Sequence, residues 1–437
     1  MEPIPTFQRD FITESILRAN PWKEGNENEK KMRVLSVGET ITDYHILHFL
    51  LQWKNDRLWE PTFQLLEQKQ EWEMEVNQWI KRYILPGMDM NWFWKECMRV
   101  WKAEHRERTD QQNMQEHVKQ LQQIRQPEQR TAEWYDMRMN MITASDWASV
   151  LGMNPYSSIR EVLEKKSNHN NSFTGNATTE WGVKYEPVAI SIYEQRMDME
   201  ILPFGLLPHC NYSFLGASPD GITKEGRMLE IKCPPTRVIK GICPRYYWAQ
   251  VQGQMECCQL ERTDFMECKI EEYPEEEWIK IQYVSQTNTM NQRNAGWEFG
   301  ILPVSKTGFM EKGMTCCIYE DMNATKCKYI HSFGNDELWK EQMNQTYPNM
   351  KITYWVLSHV SCIPIYRDEE WFHETALPKL ACAWNGVRFW RAQAAHIQEV
   401  GNVILSSLQQ ISIPETSIIK KKSVVKNQIS LFSLDDL

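Results

Sequence analysis

The middle of the chain alternates between helical and strand-like spacing of its hydrophobic residues. In the segment TEWGVKYEPVAISIYEQRM, Trp181, Tyr185, Ala189 and Ile192 fall on one face, which predicts an amphipathic helix. Short apolar runs bounded by turn residues predict strands at 229–231, 264–271 and 277–284. Helices alternating with strands in this way predict an α/β (α+β) fold with a central mixed β-sheet flanked by helices.

The chain divides into regions of different texture. Near the N-terminus Trp72, Val76 and Tyr83 share one helical face, whereas the C-terminal tail carries a basic run at 420–422. We predict a helical N-terminal region over 1–125, an α/β domain over 126–400 with a polar insertion around 290–350, and a basic, flexible tail over 401–437.

One stretch, LGASPDGITKEGRMLEIKCP at 215–234, concentrates the candidate chemistry. Side chains alternate along a strand, so Glu230 and Lys232 project to the same side. We predict a bent hairpin in which Ser213–Ala217 is the partner strand and Asp220-Gly221 and 224–226 supply the turns. Asp220, Glu230 and Lys232 would then converge to hold a divalent metal and activate a water beside it.

Three polar features flank the hairpin. Ile142–Ser145 opens a predicted helix near Arg138, which suits a phosphate, although an ordinary helix cap beside a surface arginine explains the same residues. Glu186 lies beside the buried stripe of its helix and faces either a polar cleft or solvent. After the hairpin Tyr247, Gln250 and Gln254 form one polar stripe that suits hydrogen bonding to a metal-bound water or to phosphate.

Composition narrows the class of protein. A formal charge of −9 argues against a protein coated in positive charge, and no apolar run approaches the length of a membrane helix. The N-terminal MEPIPTFQRD lacks the features of a secretory signal, so we expect an intracellular location in cytoplasm or nucleus. Twelve cysteines without any C-x-x-C pair predict reduced thiols rather than a zinc site.

Five motifs, taken in order, resemble a known family. They are Arg138 with ITAS (142–145), GVKYEP (182–187), ASPDG (217–221), LEIKCP (229–234) and YYWAQVQGQM (246–255). Together they resemble the lambda-exonuclease and YqaJ-type viral recombinase nucleases, a branch of the PD-(D/E)xK fold. The resemblance covers about 130–285 and 350–400.

The resemblance implies a role for each acidic residue of the hairpin. Asp220 and Glu230 would bind the metal, together with the backbone carbonyl of Ile231. Lys232 would orient or polarise the attacking water, and Glu186 would complete the acidic cluster. Such oxygen ligands select Mg²⁺ or Mn²⁺, as one or two ions, rather than zinc.

The resemblance also implies a binding site for DNA phosphate. Gln250 and Tyr247 would support the metal site from the following helix, with Tyr247 close to the phosphate. Arg138, Ser145 and Ser218 would receive a phosphate, by similarity a 5′-terminal one.

We therefore predict a metal-dependent deoxyribonuclease, an exonuclease of 5′–3′ polarity by resemblance. It would act on duplex DNA ends in viral replication, recombination or repair. A structure-specific or site-specific endonuclease of the same fold and a catalytically idle DNA-binding scaffold are the alternatives. The segment Gln428–Phe432 resembles a sliding-clamp-binding peptide and would dock on a sliding clamp or a recombination partner, and the oligomeric state stays open.

Overall fold

A computed structural model gives the fold of most of the chain after residue 98. It describes residues 99–100, 103, 106–107, 110–167, 177–281, 300–303, 311–319, 327–347 and 350–410. The predicted helices before residue 99 and the predicted tail peptide lie outside these residues. By its internal contacts the chain divides into two units, Met1–Trp384 and Asn385–Leu437.

A mixed sheet forms the centre of the first unit. Its strands are β2 (Ile201–Leu202), β5 (Gly221–Thr223), β6 (Met228–Lys232), β7 (Arg262–Tyr273), β8 (Gly300–Pro303), β9 (Lys312–Tyr319), β10 (Cys327–Phe333) and β11 (Ile352–Tyr366). The strand order is β10-β9-β11-β7-β6-β5-β2, with β8 paired to β11. The β6–β7 pair is parallel and the other pairs are antiparallel.

A small second sheet stands beside the first. It contains β1 (Ile142–Thr143), β3 (Leu207–Pro208) and β4 (Leu215–Ala217) in the order β1-β4-β3. The predicted pairing of Ser213–Ala217 with the 229–231 strand is therefore wrong, because β4 pairs with β1 and β3. The partner of β6 is β5, and Asp220-Gly221 leads into β5 rather than forming the turn.

The described helices surround the sheets. They are α1 (Gln111–Gln123), α2 (Ala132–Met139), α3 (Ala144–Val150), α4 (Ile159–Ser167), α5 (Ala177–Met197), α6 (Arg245–Cys258), α7 (Glu275–Trp278), α8 (Glu337–Thr346), α9 (Glu369–Trp371) and α10 (Leu377–Gln410). A π-helical turn, Phe372–Ala376, precedes α10. The second unit is described by the part of α10 that follows Trp384. No helix among the described residues is long and apolar enough to cross a bilayer.

The core forms where the apolar faces of these helices meet the sheet. From α5, Tyr185, Ala189 and Ile192 are fully buried against a cluster that includes Leu229 and Ile231 of β6, as the sequence pattern predicts. The crossover from β6 to β7 runs through α6, the usual solution for a parallel pair. The α/β (α+β) fold class is confirmed.

Two strand predictions meet different outcomes. The predicted strand 264–271 is confirmed as part of β7. The predicted strand 277–284 is wrong at its start, because Glu275–Trp278 is helical after Pro274, and residues from 282 lie outside the described part. In the region predicted as an insertion, β9 and β10 form a hairpin that extends the main sheet next to β11.

Candidate active site

The hairpin β5–β6 brings the two hairpin carboxylates side by side. A turn joins the strands, and Gly226 adopts a positive φ of 87° there, a conformation that glycine tolerates best. The register pairs Gly221 with Leu229, so Asp220 lies next to β6. The backbone N–H of Ile231 donates a hydrogen bond of 2.7 Å to Oδ2 of Asp220.

Glu230 is the buried centre of the site, with 1% of its surface exposed. Helix α6 supplies two amide donors to it: Nε2 of Gln250 lies 2.7 Å from Oε1, and Nε2 of Gln254 lies 2.6 Å from Oε2. Lys232 donates to Oε1 as well. A buried carboxylate needs such partners, and these three also fix its orientation.

Lys232 lies between the carboxylates and an aromatic ring. Its Nζ is 4.8 Å from the ring centroid of Tyr247 on α6. Burial would lower the pKa of Lys232, but the negative charges of Glu230 and Asp220 outweigh burial and raise the pKa above its ordinary value. The side chain is therefore a cation at neutral pH when no metal is bound.

Glu186 of α5 joins the cluster through its charge. Its Oε2 accepts a hydrogen bond of 2.9 Å from Arg130. Burial raises the pKa of Glu186, Arg130 opposes that rise, and the carboxylate of Glu230 adds to it. The pKa of Asp220 is raised well above its usual range by burial and then by repulsion from Glu230 and Glu186. The three carboxylates thus repel one another.

A fourth acid, Glu267, is one that sequence analysis missed. The parallel register pairs it with Lys232, so both side chains project from the same face of the sheet. It is buried and ion-paired with Arg237, yet burial, the largest effect, raises its pKa. Spacing along the chain gives no sign of this neighbour, because the β6–β7 register is a tertiary feature.

A second polar cluster lies next to the β5–β6 hairpin. The Arg138 guanidinium donates 2.9 Å to Oγ of Ser145 and stacks 4.3 Å from the Trp134 ring. The indole N–H of Trp134 donates 3.0 Å to Oγ of Ser218, two residues from Asp220. Ser218 is thus linked through Trp134 to Arg138 and Ser145, and this cluster lies beside the β5–β6 hairpin.

A buried lysine, Lys166, stabilises the backbone of this second cluster. Nζ of Lys166 donates 2.7 Å to the backbone carbonyl of Arg138 and lies 2.8 Å from Oδ2 of Asp146. Asp146 in turn caps α3: its Oδ2 accepts 3.3 Å from the backbone N–H of Thr143, and it also accepts 2.8 Å from the Thr143 hydroxyl. Burial, only partly offset by Asp146, lowers the pKa of Lys166 to about 8. These contacts fix the backbone that carries Arg138.

The donor set fits a hard divalent cation. Within the described residues no three His, Cys, Asp or Glu side chains come close enough to form a complete metal-binding group. Mg²⁺ does not require one, because it is commonly held by one or two carboxylates with water and substrate phosphate completing its shell. Asp220 and Glu230 meet that need, and their mutual repulsion favours a cation between them.

A mixed sheet, an acid before one strand and an acid and a lysine on the next are consistent with a PD-(D/E)xK nuclease core. Residues 133–265 match the family model of the YqaJ-like viral recombinase domain. The matched range contains every side chain predicted for the site.

Curated relatives come from two viruses. An uncharacterised protein of Acanthamoeba polyphaga mimivirus is 30% identical over 64% of this chain and 56% of its own length. A protein of African swine fever virus (strain Badajoz 1971 Vero-adapted) is 30% identical over 29% of this chain and 45% of its own length. The chain thus spans about half the length of these relatives.

Two solved structures are similar at lower identity. An alkaline exonuclease from Laribacter hongkongensis is 20% identical, with a TM-score of 0.36, over 61% of this chain and 100% of that chain. A phage-related exonuclease from Haemophilus somnus 129PT is 13% identical, with a TM-score of 0.31, over 59% of this chain and 96% of that chain.

Proposed function

We propose that this protein is a metal-dependent deoxyribonuclease that removes nucleotides from duplex DNA ends, with 5′–3′ polarity. The observation that carries the proposal is the convergence of Asp220, Glu230 and Lys232 with the amide donors Gln250 and Gln254. A role in viral DNA replication, recombination or repair follows from the family of residues 133–265.

Each group has a defined task in phosphodiester hydrolysis. Asp220, Glu230 and the carbonyl of Ile231 would hold Mg²⁺ or Mn²⁺, which supplies charge neutralisation and water activation when bound. Glu186 would add a further carboxylate for a second ion. Lys232, held as a cation, would orient the attacking water and stabilise charge developing on the phosphoryl oxygens.

The amides of α6 prepare the site before substrate arrives. Gln250 and Gln254 each donate to a different oxygen of Glu230, so the carboxylate cannot rotate away. Fixing a ligand in advance reduces the reorganisation required during reaction.

The second cluster suits the 5′-phosphate of the strand being degraded. Arg138, Ser145 and Ser218 offer a guanidinium and two hydroxyls, the donors that phosphate oxygens accept best. Because this cluster lies beside the β5–β6 hairpin, it would hold a terminal phosphate close to the phosphodiester bond to be cut.

The first test concerns the catalytic hairpin. Lys232→Ala and Glu230→Ala should each lower Mg²⁺-dependent cleavage by about 10²–10⁴-fold, because each removes a group that acts on the reacting phosphate. Rates would be measured by release of nucleotides from end-labelled linear duplex DNA. Lys224→Ala is the matched control, since this lysine lies in the turn of the same hairpin and is ion-paired with exposed Glu200.

The same assay separates the nuclease classes. Stepwise loss from linear ends with closed circles left intact is expected for an exonuclease. Nicked or linearised circles would favour the endonuclease alternative, and undiminished cleavage by Lys232→Ala would remove the hairpin from catalysis. The idle-scaffold alternative predicts no cleavage by any form of the protein.

The second test concerns the phosphate site. Arg138→Ala should slow degradation of 5′-phosphorylated ends by about 10-fold or more, since it removes a hydrogen bond to a charged group. Ends that carry a 5′-hydroxyl should be nearly unaffected. Arg160→Ala, which breaks only an exposed pair with Glu164, provides the control. Equal slowing on both kinds of end would contradict the assignment.

Sliding-clamp binding through Gln428–Phe432 stays a prediction from sequence, because this segment lies outside the described residues. Duplex DNA is the partner that the site itself supports.

A further inference from the structure

A row of three tyrosines leads from the protein surface to the catalytic lysine. The ring centroids of Tyr156 and Tyr246 are 5.7 Å apart, with the rings nearly perpendicular. Tyr246 and Tyr247 follow at 4.3 Å, and Nζ of Lys232 lies 4.8 Å from the Tyr247 ring. Only Tyr247 has a part in the site described above.

Tyr156 is unusually exposed for an aromatic residue, with 77% of its surface accessible. Its loop is nevertheless fixed. The side chain of Asn154 donates 3.0 Å to Oγ of buried Ser149 and accepts 2.9 Å from the backbone N–H of Tyr156. Gly152 at φ 72° allows the chain to turn away from α3. An exposed ring on a fixed backbone is preorganised for contact with another molecule.

The contact between Tyr156 and Tyr246 is edge-to-face. In this geometry at least one face of the Tyr156 ring is not covered by Tyr246, and a flat group can stack on it.

The chemistry around the row fits nucleic acid. Two cations lie near the Tyr247 ring: the Arg237 guanidinium is 5.8 Å from its centroid, and Nζ of Lys232 is 4.8 Å from it. The phenol of Tyr246 is neutral at physiological pH, as that of an ordinary tyrosine is, and therefore does not repel phosphate. Aromatic rings interleaved with cations are the usual surface for single-stranded DNA.

We propose that Tyr156 and Tyr246 form a stacking surface for a nucleobase of the DNA strand whose backbone enters the active site. Every base has an apolar face, so this contact accepts any sequence. It would hold one nucleotide out of the duplex close to Lys232. The inference rests on the proposed nuclease function and adds a base-binding site to it.

The test uses the full chain with Glu230→Gln to prevent cleavage, in Mg²⁺. The probe is a 5′-phosphorylated duplex with a short single-stranded end and 2-aminopurine at one of its terminal positions. Stacking quenches 2-aminopurine, so binding should quench it at one position. Adding Tyr156→Ala should restore the fluorescence there and weaken binding, followed by anisotropy, about 5-fold or more. Tyr156→Phe should change neither.

Two controls make the result specific to a base. Leu338→Ala removes a side chain that is equally exposed, at 74%, on α8, and should have no effect. An abasic nucleotide can replace the base at the position where 2-aminopurine is quenched. It should weaken DNA binding by the protein that retains Tyr156 as much as Tyr156→Ala weakens binding of intact DNA. Combining the two changes should then add nothing.

The outcomes separate the two proposals. If DNA binds but Tyr156→Ala alters neither fluorescence nor affinity at any position, the stacking surface is overturned and the nuclease proposal stands. Equal weakening on intact and abasic DNA also overturns it, because the ring would then contact the backbone. Absence of DNA binding by every form overturns the nuclease proposal itself.

Discussion

Asp220 combines a proposed role in metal binding with a cost to the stability of the folded protein. Its backbone hydrogen bond from Ile231 stabilises the carboxylate, but burial and the charges of Glu230 and Glu186 oppose ionisation more strongly and raise its pKa. Without a cation, the folded protein therefore holds an unfavourable charge at neutral pH. A bound divalent ion would relieve it.

This conflict predicts that Asp220→Asn stabilises the metal-free protein. Because the folded pKa of Asp220 lies above its unfolded value, the folded state binds the proton more tightly, and stability falls as pH rises above about 4. The asparagine variant carries no such charge and can still accept from Ile231. Its melting temperature at pH 7 in EDTA should exceed the wild-type value by a few degrees, with the gap closing toward pH 4.

Adding Mg²⁺ should reverse the order of the melting temperatures of the wild type and Asp220→Asn. The wild-type protein should gain thermal stability with Mg²⁺ concentration, and Asp220→Asn should gain far less, because it lacks a ligand. Asp136→Asn on the exposed side of α2 should follow the wild type throughout. A variant that melts below the wild type in EDTA at pH 7 would contradict this account of the site.

Among the helices and strands, α6 makes the contacts that restrict its residues most. One side presents Gln250 and Gln254 to Glu230, and another packs against α3 at Gly253. A Cβ at Gly253 would lie 2.8–3.0 Å from three ring atoms of Trp147, which is fully buried and stacked on Phe372. The helices approach this closely only because residue 253 has no side chain.

Gly253→Ala should therefore destabilise the fold by about 2 kcal/mol, despite the better helix propensity of alanine. Gly182→Ala in α5 is the matched control, since a Cβ there meets nothing within 4 Å. That change should raise stability by about 0.4–1 kcal/mol. Urea denaturation of both variants measures the difference. Equal changes in the free energy of unfolding for the two variants would show that Trp147 moves to accommodate the added Cβ without destabilising the fold.

Elements with local signals are predictable from the sequence. Strand alternation correctly placed Glu230 and Lys232 on one side, and helical spacing correctly placed Gln250 and Gln254 on one stripe. The partner of β6 was not predictable in the same way. The three-residue strand Leu215–Ala217 pairs with Ile142–Thr143, some 70 residues earlier in the chain, and nothing local in either segment specifies that choice.

At the scale of the whole molecule, the family match covers the site but not all that holds it. Residues 133–265 contain the β5–β6 hairpin, the cluster of Arg138, Ser145 and Ser218, and α6. Glu267 and Arg130 lie just outside that range, and β11 lies about 90 residues beyond it. Sequence motifs identify the side chains of the candidate site. The position of β11 depends on long-range strand pairing, which the spacing of residues along the chain does not encode.

The position of β11 has a consequence for how the protein is made. It lies between β7 and β9 and pairs with β7 from Tyr354 opposite Tyr273 to Tyr366 opposite Arg262. A nascent chain therefore carries all its candidate catalytic residues well before the ribosome has added the strand that completes the sheet. Until then β7 has a free edge, and the site lacks its support. Pairing of β7 with β11 therefore waits until translation has passed Tyr366.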